Sequence, residues 1–95
     1  MAEALVDLDV SDLEPPEPLL RATVALQNLP RGKALHMIHR LRPRLLYPEA
    51  ERLGFESDTR QGPDGRCEIF FWRRDDPAAA RAARTAAAAL PPWRE

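Results

Sequence analysis

The sequence has few of the residues that usually build metal centres, disulfides and catalytic nucleophiles. Its 95 residues include one cysteine, Cys67, and two histidines, His36 and His39. One cysteine cannot form an internal disulfide, and these three residues cannot complete a closed cysteine-rich zinc site. The histidines are three positions apart in a predicted strand, so their side chains point to opposite faces. The carboxylates of the first third of the chain have no nucleophile or histidine arranged beside them, and we expect no metal, no cofactor and no enzymatic activity.

Hydrophobic residues are also sparse. Leu, Ile, Val and Phe together make up 21 of the 95 residues, which predicts one small domain with a thin core. No apolar run approaches the length of about 18 residues that a membrane-spanning helix needs. The opening residues, MAEALVDLDV, lack the basic region that begins a secretory signal. With a single cysteine as well, these observations favour a soluble protein of the reducing cytoplasm.

The charges are separated along the chain although their sum is small. The formal net charge is −1, and residues 1–20 hold six acidic side chains and no basic one, a poor fit to nucleic acid or an anionic membrane. Residues 21–48 hold six basic side chains and no acidic one. Part of this segment leaves a predicted strand and leads into a helix, where arginines and a helix N-terminus can bind an anion. The candidate anion-binding residues are His39, Arg40, Arg42 and Arg44; the alternative is a solvated, charged loop.

Hydrophobic spacing and turn residues predict six elements followed by an alanine-rich helix. Strands are predicted over residues 4–10, 34–39, 55–60 and 66–73, and helices from about Pro16 to Asn28 and from about Tyr47 to Leu53. The order β-α-β-α-β-β predicts an α+β fold, a two-layer α/β sandwich in which a four-stranded mixed sheet carries both helices on one face. Asp76 and Pro77 begin the alanine-rich helix at 78–89, which is marginal in water unless it docks. We therefore expect a flexible N-terminus at 1–4, a domain at 5–74 and a helical tail at 75–95 that can fray.

The last strand of the domain has two different faces. Cys67, Ile69 and Phe71 alternate with Glu68, Phe70 and Trp72. If the first set faces the two helices, Phe70 and Trp72 lie on an uncovered face of the sheet and mark a partner-binding surface. The C-terminal helix with Trp93, a second copy of the chain or another protein could cover them. The alternative is that the phase is reversed and the aromatic pair forms the core.

Residues 8–18, Leu-Asp-Val-Ser-Asp-Leu-Glu-Pro-Pro-Glu-Pro, resemble the signature of the SirA/TusA/YedF family, roughly Leu-Asp-x-x-Gly-Leu-x-Cys-Pro-x-Pro. The resemblance extends over about residues 5–74 and implies the same β-α-β-α-β-β fold. The family's sulfur-carrying cysteine corresponds to Pro15, and its glycine to Asp12, so sulfur cannot be carried at this position. The chain is thus similar to cysteine-less relatives of unknown function, which occur alone or beside hemerythrin-like and nitrogen-oxide-respiration proteins. The resemblance also implies a partner-docking loop at Glu14, Pro15, Pro16, Glu17 and Pro18, for which the alternative is a rigid structural turn.

These observations favour a non-enzymatic interaction or small-ligand-binding domain. Its partner would be a redox or respiratory protein, or a second copy of the chain. A second hypothesis is a sulfur carrier that uses Cys67, although its place in an apolar strand predicts a buried, inert thiol. A third hypothesis is an anion or nucleotide binder at the run from His39 to Arg44.

Overall fold

The chain folds around a four-stranded sheet with helices on both of its faces. A computed structural model describes residues 4–94; of the predicted flexible segment at 1–4, residues 1–3 lie outside this range. No helix in the described range combines the length and the apolar character that crossing a bilayer requires. In chain order the elements are β1 (Leu5–Asp9), α1 (Glu17–Gln27), β2 (Ala34–His39), α2 (Leu46–Arg52), β3 (Phe55–Gln61), β4 (Cys67–Arg73) and α3 (Pro77–Ala88).

The strands lie in the order β1-β2-β4-β3. Strands β1 and β2 are parallel and are joined by the crossover helix α1, as a parallel pair requires. Strand β4 lies between β2 and β3 and is antiparallel to both. The tight β3–β4 turn includes a bond from the Gly62 N–H to the Arg66 carbonyl oxygen (2.8 Å), and Gly65 takes a φ of +86° that favours glycine. This arrangement confirms the predicted α+β class and mixed sheet.

The larger core lies between the sheet and helices α1 and α2. The three residues of β4 that were predicted to face these helices, Cys67, Ile69 and Phe71, are all fully buried there. Helix α1 supplies Ala22 and Leu26 from one face, four positions apart, to the same core. The predicted phase of β4 is therefore confirmed, and the alternative of a reversed phase is wrong.

The opposite face of the sheet is covered by helix α3. Phe70 and Trp72 are only 2% and 5% exposed, because they pack against three alanines of α3 that recur every four residues. These alanines are Ala79, Ala83 and Ala87. Of the three possible covers, the C-terminal helix is therefore confirmed, and the prediction that Phe70 and Trp72 form a partner-binding surface is corrected. The small alanine side chains let the helix approach closely. Helix α3 thereby adds a third layer to the predicted two-layer sandwich.

Helix α3 is held at its start by Asp76, which is 4% exposed. The carboxylate accepts a bond from the Ala79 N–H (3.2 Å), which confirms the predicted cap, and a second from the Gly32 N–H (2.7 Å). The second bond ties the helix to the turn before β2. Hydrogen bonds to both backbone groups lower the pKa of Asp76, against the opposing effect of desolvation.

After α3 the chain runs along the outer edge of β3. The Gln61 N–H donates to the Pro91 carbonyl oxygen (2.9 Å), and the Trp93 N–H donates to the Thr59 carbonyl oxygen (3.4 Å). Trp93 packs against the larger core, so it does not join α3 in covering Trp72, as one of the three alternatives proposed. The tail thus passes from one face of the sheet to the other.

Candidate functional site: a proline-lined pocket

Two segments that the sequence analysis treated as separate candidate sites form one pocket. The first is the loop that enters α1, and the second is the chain between the end of β2 and the start of α2. Together they line an open pocket of about 230 Å³ with mainly apolar walls. Its lining residues are Pro15, Pro16, Pro18, Leu19, His39, Pro43, Arg44, Leu45 and Leu46. We call this site the proline pocket.

The α1 side of the proline pocket is poor in hydrogen-bond donors. Pro16 and Pro18 have no N–H group, so two of the backbone donors that are usually free at the start of a helix are absent here. The Glu17 N–H between them donates to the Glu14 carbonyl oxygen (2.9 Å), within the same turn. The first turn of α1 therefore presents hydrocarbon rather than an anion-binding set of N–H groups.

His39 is the buried polar group in the wall of the proline pocket. It ends β2 in phase with Leu35 and Met37, so that it faces α1 and α2, and it is 7% exposed. Its Nδ1 atom is buried and has no hydrogen-bond partner among the described residues. A buried polar atom without a partner costs about 1–3 kcal/mol. Such an atom beside a pocket is a candidate for contact with a ligand.

The surroundings of His39 favour its neutral form. Burial lowers the pKa of the imidazole, and the positive charge of Arg40 lowers it further, while Asp9 acts in the opposite direction. A neutral imidazole has one nitrogen that donates and one that accepts a hydrogen bond. His39 can therefore recognise an uncharged group by either role.

The three arginines of the predicted anion site make different contacts. Arg40 donates from Nε to the Ser11 carbonyl oxygen (3.1 Å) and from Nη2 to Glu14 (2.7 Å). The guanidinium of Arg42 lies over the ring of Tyr47, 5.3 Å from its centroid. Arg44 is the arginine that lines the proline pocket.

The remaining residues of the predicted docking loop lie outside the pocket. Glu14 is exposed and pairs with Arg40, while Glu17 pairs with Arg21 one turn along α1 (3.4 Å). Both pairs are exposed, so they contribute little to stability. The predicted surfaces therefore meet through the loop's prolines, whereas its two glutamates form ion pairs at the surface.

Phe70 and Trp72 lie on the other face of the sheet, beneath α3. The indole N–H of Trp72 donates to Glu56 (3.2 Å), and the guanidinium of Arg84 lies 5.7 Å from a ring centroid of the same indole. The ring of Phe70 stacks on His36 at 4.7 Å. The two aromatics are thus occupied by contacts within the chain and do not reach a partner while α3 is docked.

The sequence analysis missed the leucines of the pocket. Leu19 and Leu46 come from the facing ends of α1 and α2, and Leu45 is 78% exposed at the rim. Leu41, which precedes α2, is also exposed, at 58%. An apolar pair at the start of a short helix is a signal that could have drawn attention to Leu45 and Leu46.

Cys67 is fully buried in the larger core, opposite His39 in the β2–β4 pairing. Burial raises the pKa of its thiol to about 11. The thiolate, which is the nucleophilic form, is thus strongly disfavoured at neutral pH.

His36 has a separate environment on the α3 face of the sheet. Its Nδ1 lies 3.0 Å from Asp7 and its Nε2 lies 2.7 Å from Glu68, so both ring nitrogens have partners. The structure confirms that His36 and His39 point to opposite faces. Residues 4–94 contain no group of three or more histidine, cysteine or acidic side chains arranged to hold a metal ion.

Similarity to known proteins covers the part of the chain that builds the pocket. The profile of a family described as uncharacterised conserved proteins, DUF2249, matches residues 7–73. No curated protein matches the chain. Among solved structures, the crystal structure of a SirA-like protein from Desulfitobacterium hafniense is similar, with 21% sequence identity and a TM-score of 0.60, over 70% of this chain and 93% of that one. At this identity the likeness shows a shared fold. The family match includes every residue of the proline pocket and ends before α3.

Proposed function

The chain belongs to the DUF2249 family and has a SirA-like fold, and from this premise we propose that it is a non-enzymatic binding domain whose binding site is the proline pocket. The single observation that carries the proposal is the buried His39 in the wall of a mainly apolar pocket, because its Nδ1 has no hydrogen-bond partner within residues 4–94. A bound molecule that pairs with this ring would remove the cost of leaving it unpaired.

The family resemblance supplies a second argument for reversible binding at the proline pocket. The resemblance implies a sulfur-carrying cysteine at the position of Pro15, which here lines the pocket instead. A reactive atom is thus replaced by a rigid hydrocarbon ring at the same place in the fold. This replacement favours reversible binding over covalent transfer. The docking of a redox or respiratory partner protein stays a prediction from the resemblance.

The sulfur-carrier hypothesis receives little support from the surroundings of Cys67. A carrier must present its thiolate to a donor and an acceptor, whereas this thiol is fully buried and its pKa is raised to about 11. The anion-binder hypothesis has one observation in its favour, the place of Arg44 in the pocket lining. The apolar character of the other walls argues against a multiply charged ligand, because such a ligand would lose hydration without replacement contacts.

The proposal is tested by filling the pocket from its rim. Leu45 is 78% exposed, so Leu45→Trp places an indole at the mouth with little effect on the core. Val24→Trp is the matched control, since Val24 is 54% exposed on α1 and does not line the pocket. Each full-length protein is equilibrated with an extract of cells that naturally produce it and separated by size exclusion. Retained molecules are then identified by mass spectrometry.

We expect the wild type and Val24→Trp to retain a molecule that Leu45→Trp does not. Circular dichroism and thermal unfolding confirm that both variants are folded. If all three proteins retain the same molecules, or if none retains any, the pocket is not the binding site and the proposal is wrong.

A further inference from the structure

The size of the proline pocket limits what it can hold. Sites for drug-sized ligands and cofactors usually measure about 300–1,000 Å³, whereas an apolar cavity of about 150 Å³ holds one benzene ring. The proline pocket, at about 230 Å³, lies between these values. It therefore fits a group of one or two fused rings and is too small to enclose a nucleotide.

The walls indicate the polarity of that group. Four of the nine lining residues are prolines and three are leucines, and the two polar members are His39 and Arg44. The prolines and leucines offer C–H surfaces that pack well against the flat face of an aromatic ring, and apart from Arg44 the walls offer no compensation for a buried charge. A guanidinium such as that of Arg44 can also stack on an aromatic face. These features favour an uncharged planar ring over an aliphatic or ionic ligand.

His39 adds a requirement for one hydrogen-bonding atom. Its Nδ1 is sealed from solvent in this structure, so a ligand can pair with this atom only if the imidazole turns about its Cβ–Cγ bond and brings Nδ1 to the surface of the pocket. A hydroxyl or ring N–H on the ligand would give Nδ1 its partner.

We infer that the proline pocket binds an uncharged, planar ring compound of one or two rings whose hydroxyl or N–H group pairs with His39. This inference rests on the proposed function and names the class of ligand for the same site. An anion held by Arg44 is the competing outcome.

The test compares four probes of similar size by NMR on the full-length protein labelled with ¹⁵N. The probes 4-methylphenol and indole carry a neutral donor, toluene lacks one, and benzoate is an anion. We expect the first two to shift the amide signals of Leu19, Leu45 and Leu46, and to move the imidazole ¹⁵N signals of His39. Toluene should bind about two- to tenfold more weakly than 4-methylphenol, the effect of one hydrogen bond.

His39→Leu supplies the matched variant, since it keeps an apolar side chain at the end of β2. It should bind 4-methylphenol and toluene equally, while His39→Gln should keep part of the preference through its amide. The inference is overturned if benzoate binds most tightly, or if His39→Leu leaves the preference for 4-methylphenol over toluene unchanged. It is also overturned if no neutral ring binds although Leu45→Trp abolishes retention of a molecule from the extract. That last result would contradict only the class of ligand and would still support the proposed function. If Leu45→Trp and the wild type retain the same molecules from the extract, the proposed function itself is wrong.

Discussion

The two histidines of β2 should respond in opposite ways to the same substitution. His39→Leu removes a buried nitrogen that has no partner among the described residues, and it places a similar volume of hydrocarbon in the wall of the proline pocket. Because an unpaired buried polar atom costs about 1–3 kcal/mol, we expect the variant to be more stable than the wild type by an amount in this range at pH 7.5. His36→Leu should instead destabilise the protein by about 1–2 kcal/mol, since it leaves two carboxylates without their imidazole partner.

The difference between the wild type and His39→Leu should also depend on pH. The pKa of His39 is lowered from 6.5 in the folded protein, mainly by burial. Below pH 6.5 the unfolded chain therefore binds this proton more readily than the folded chain, and acid favours unfolding of the wild type. Above pH 6.5 the titration of His39 does not reduce the free energy of unfolding of the wild type. As the pH falls from there toward the folded-state pKa, this free energy decreases. The loss cannot exceed about 1.4 kcal/mol per pH unit.

Urea unfolding at pH 7.5, 6.5 and 5.5, followed by circular dichroism, measures both effects. The free-energy gap between His39→Leu and the wild type should widen toward pH 5.5, while contributions from other titrating groups cancel in the difference. A variant that folds normally but is less stable than the wild type at pH 7.5 would refute the reasoning. So would a gap that stays constant across the three pH values.

Three further predictions concern the rest of the fold. Truncation after Arg74 removes α3 and exposes Phe70 and Trp72, and the burial of each side chain contributes about 1.5–3 kcal/mol to stability. We therefore expect the truncated protein to bind more of a fluorescent apolar dye and to unfold at a lower urea concentration, or to self-associate, which light scattering detects. Cys67 should resist alkylation at pH 8 until the protein is unfolded, because its thiol is buried and its pKa is about 11; rapid labelling of the folded protein, measured by mass spectrometry, would restore the sulfur-carrier hypothesis. Asp76→Ala removes two acceptor contacts and should lower the free energy of unfolding by about 1–2 kcal/mol at pH 7. Since the folded-state pKa of Asp76 lies below 3.8, this contribution is present above pH 3.8 and lost as the pH falls through the folded value; equal stability of the variant and the wild type at pH 7 would contradict this role.

The order of elements and the orientation of their side chains could be predicted because both follow from local patterns. Strict alternation along β4 placed Ile69 and Phe71 on one face, and the same periodicity separated His36 from His39. The positions of proline and glycine predicted where α1 begins and ends and where the β3–β4 turn lies. These features depend on residues a few positions apart, which one sequence displays directly.

The docking of α3 and the assembly of the pocket depend on packing between distant residues. Alanine occupies both the buried and the exposed positions of α3, so no hydrophobic stripe marks the face formed by Ala79 and Ala83. The pocket exists because α1 and α2 pack side by side, which brings Pro18 close to Leu46. The spacing of residues within either segment does not predict how close Pro18 and Leu46 lie. The sequence predicts a docking loop or rigid turn at the prolines and an anion site that includes His39, but it does not predict that these two segments meet.

The tail beyond α3 has a consequence for how the chain avoids aggregation. An exposed sheet edge can recruit a strand from another molecule, and prolines and charged side chains are common protections against this. At the β3 edge, the backbone groups of Thr59 and Gln61 are occupied by the tail, and Pro91 and Pro92 have no N–H with which to extend the ladder. At the opposite edge, β1 carries the exposed Asp7. Each edge of the sheet is thus protected against the addition of a strand, and the segment that follows α3 protects one of them.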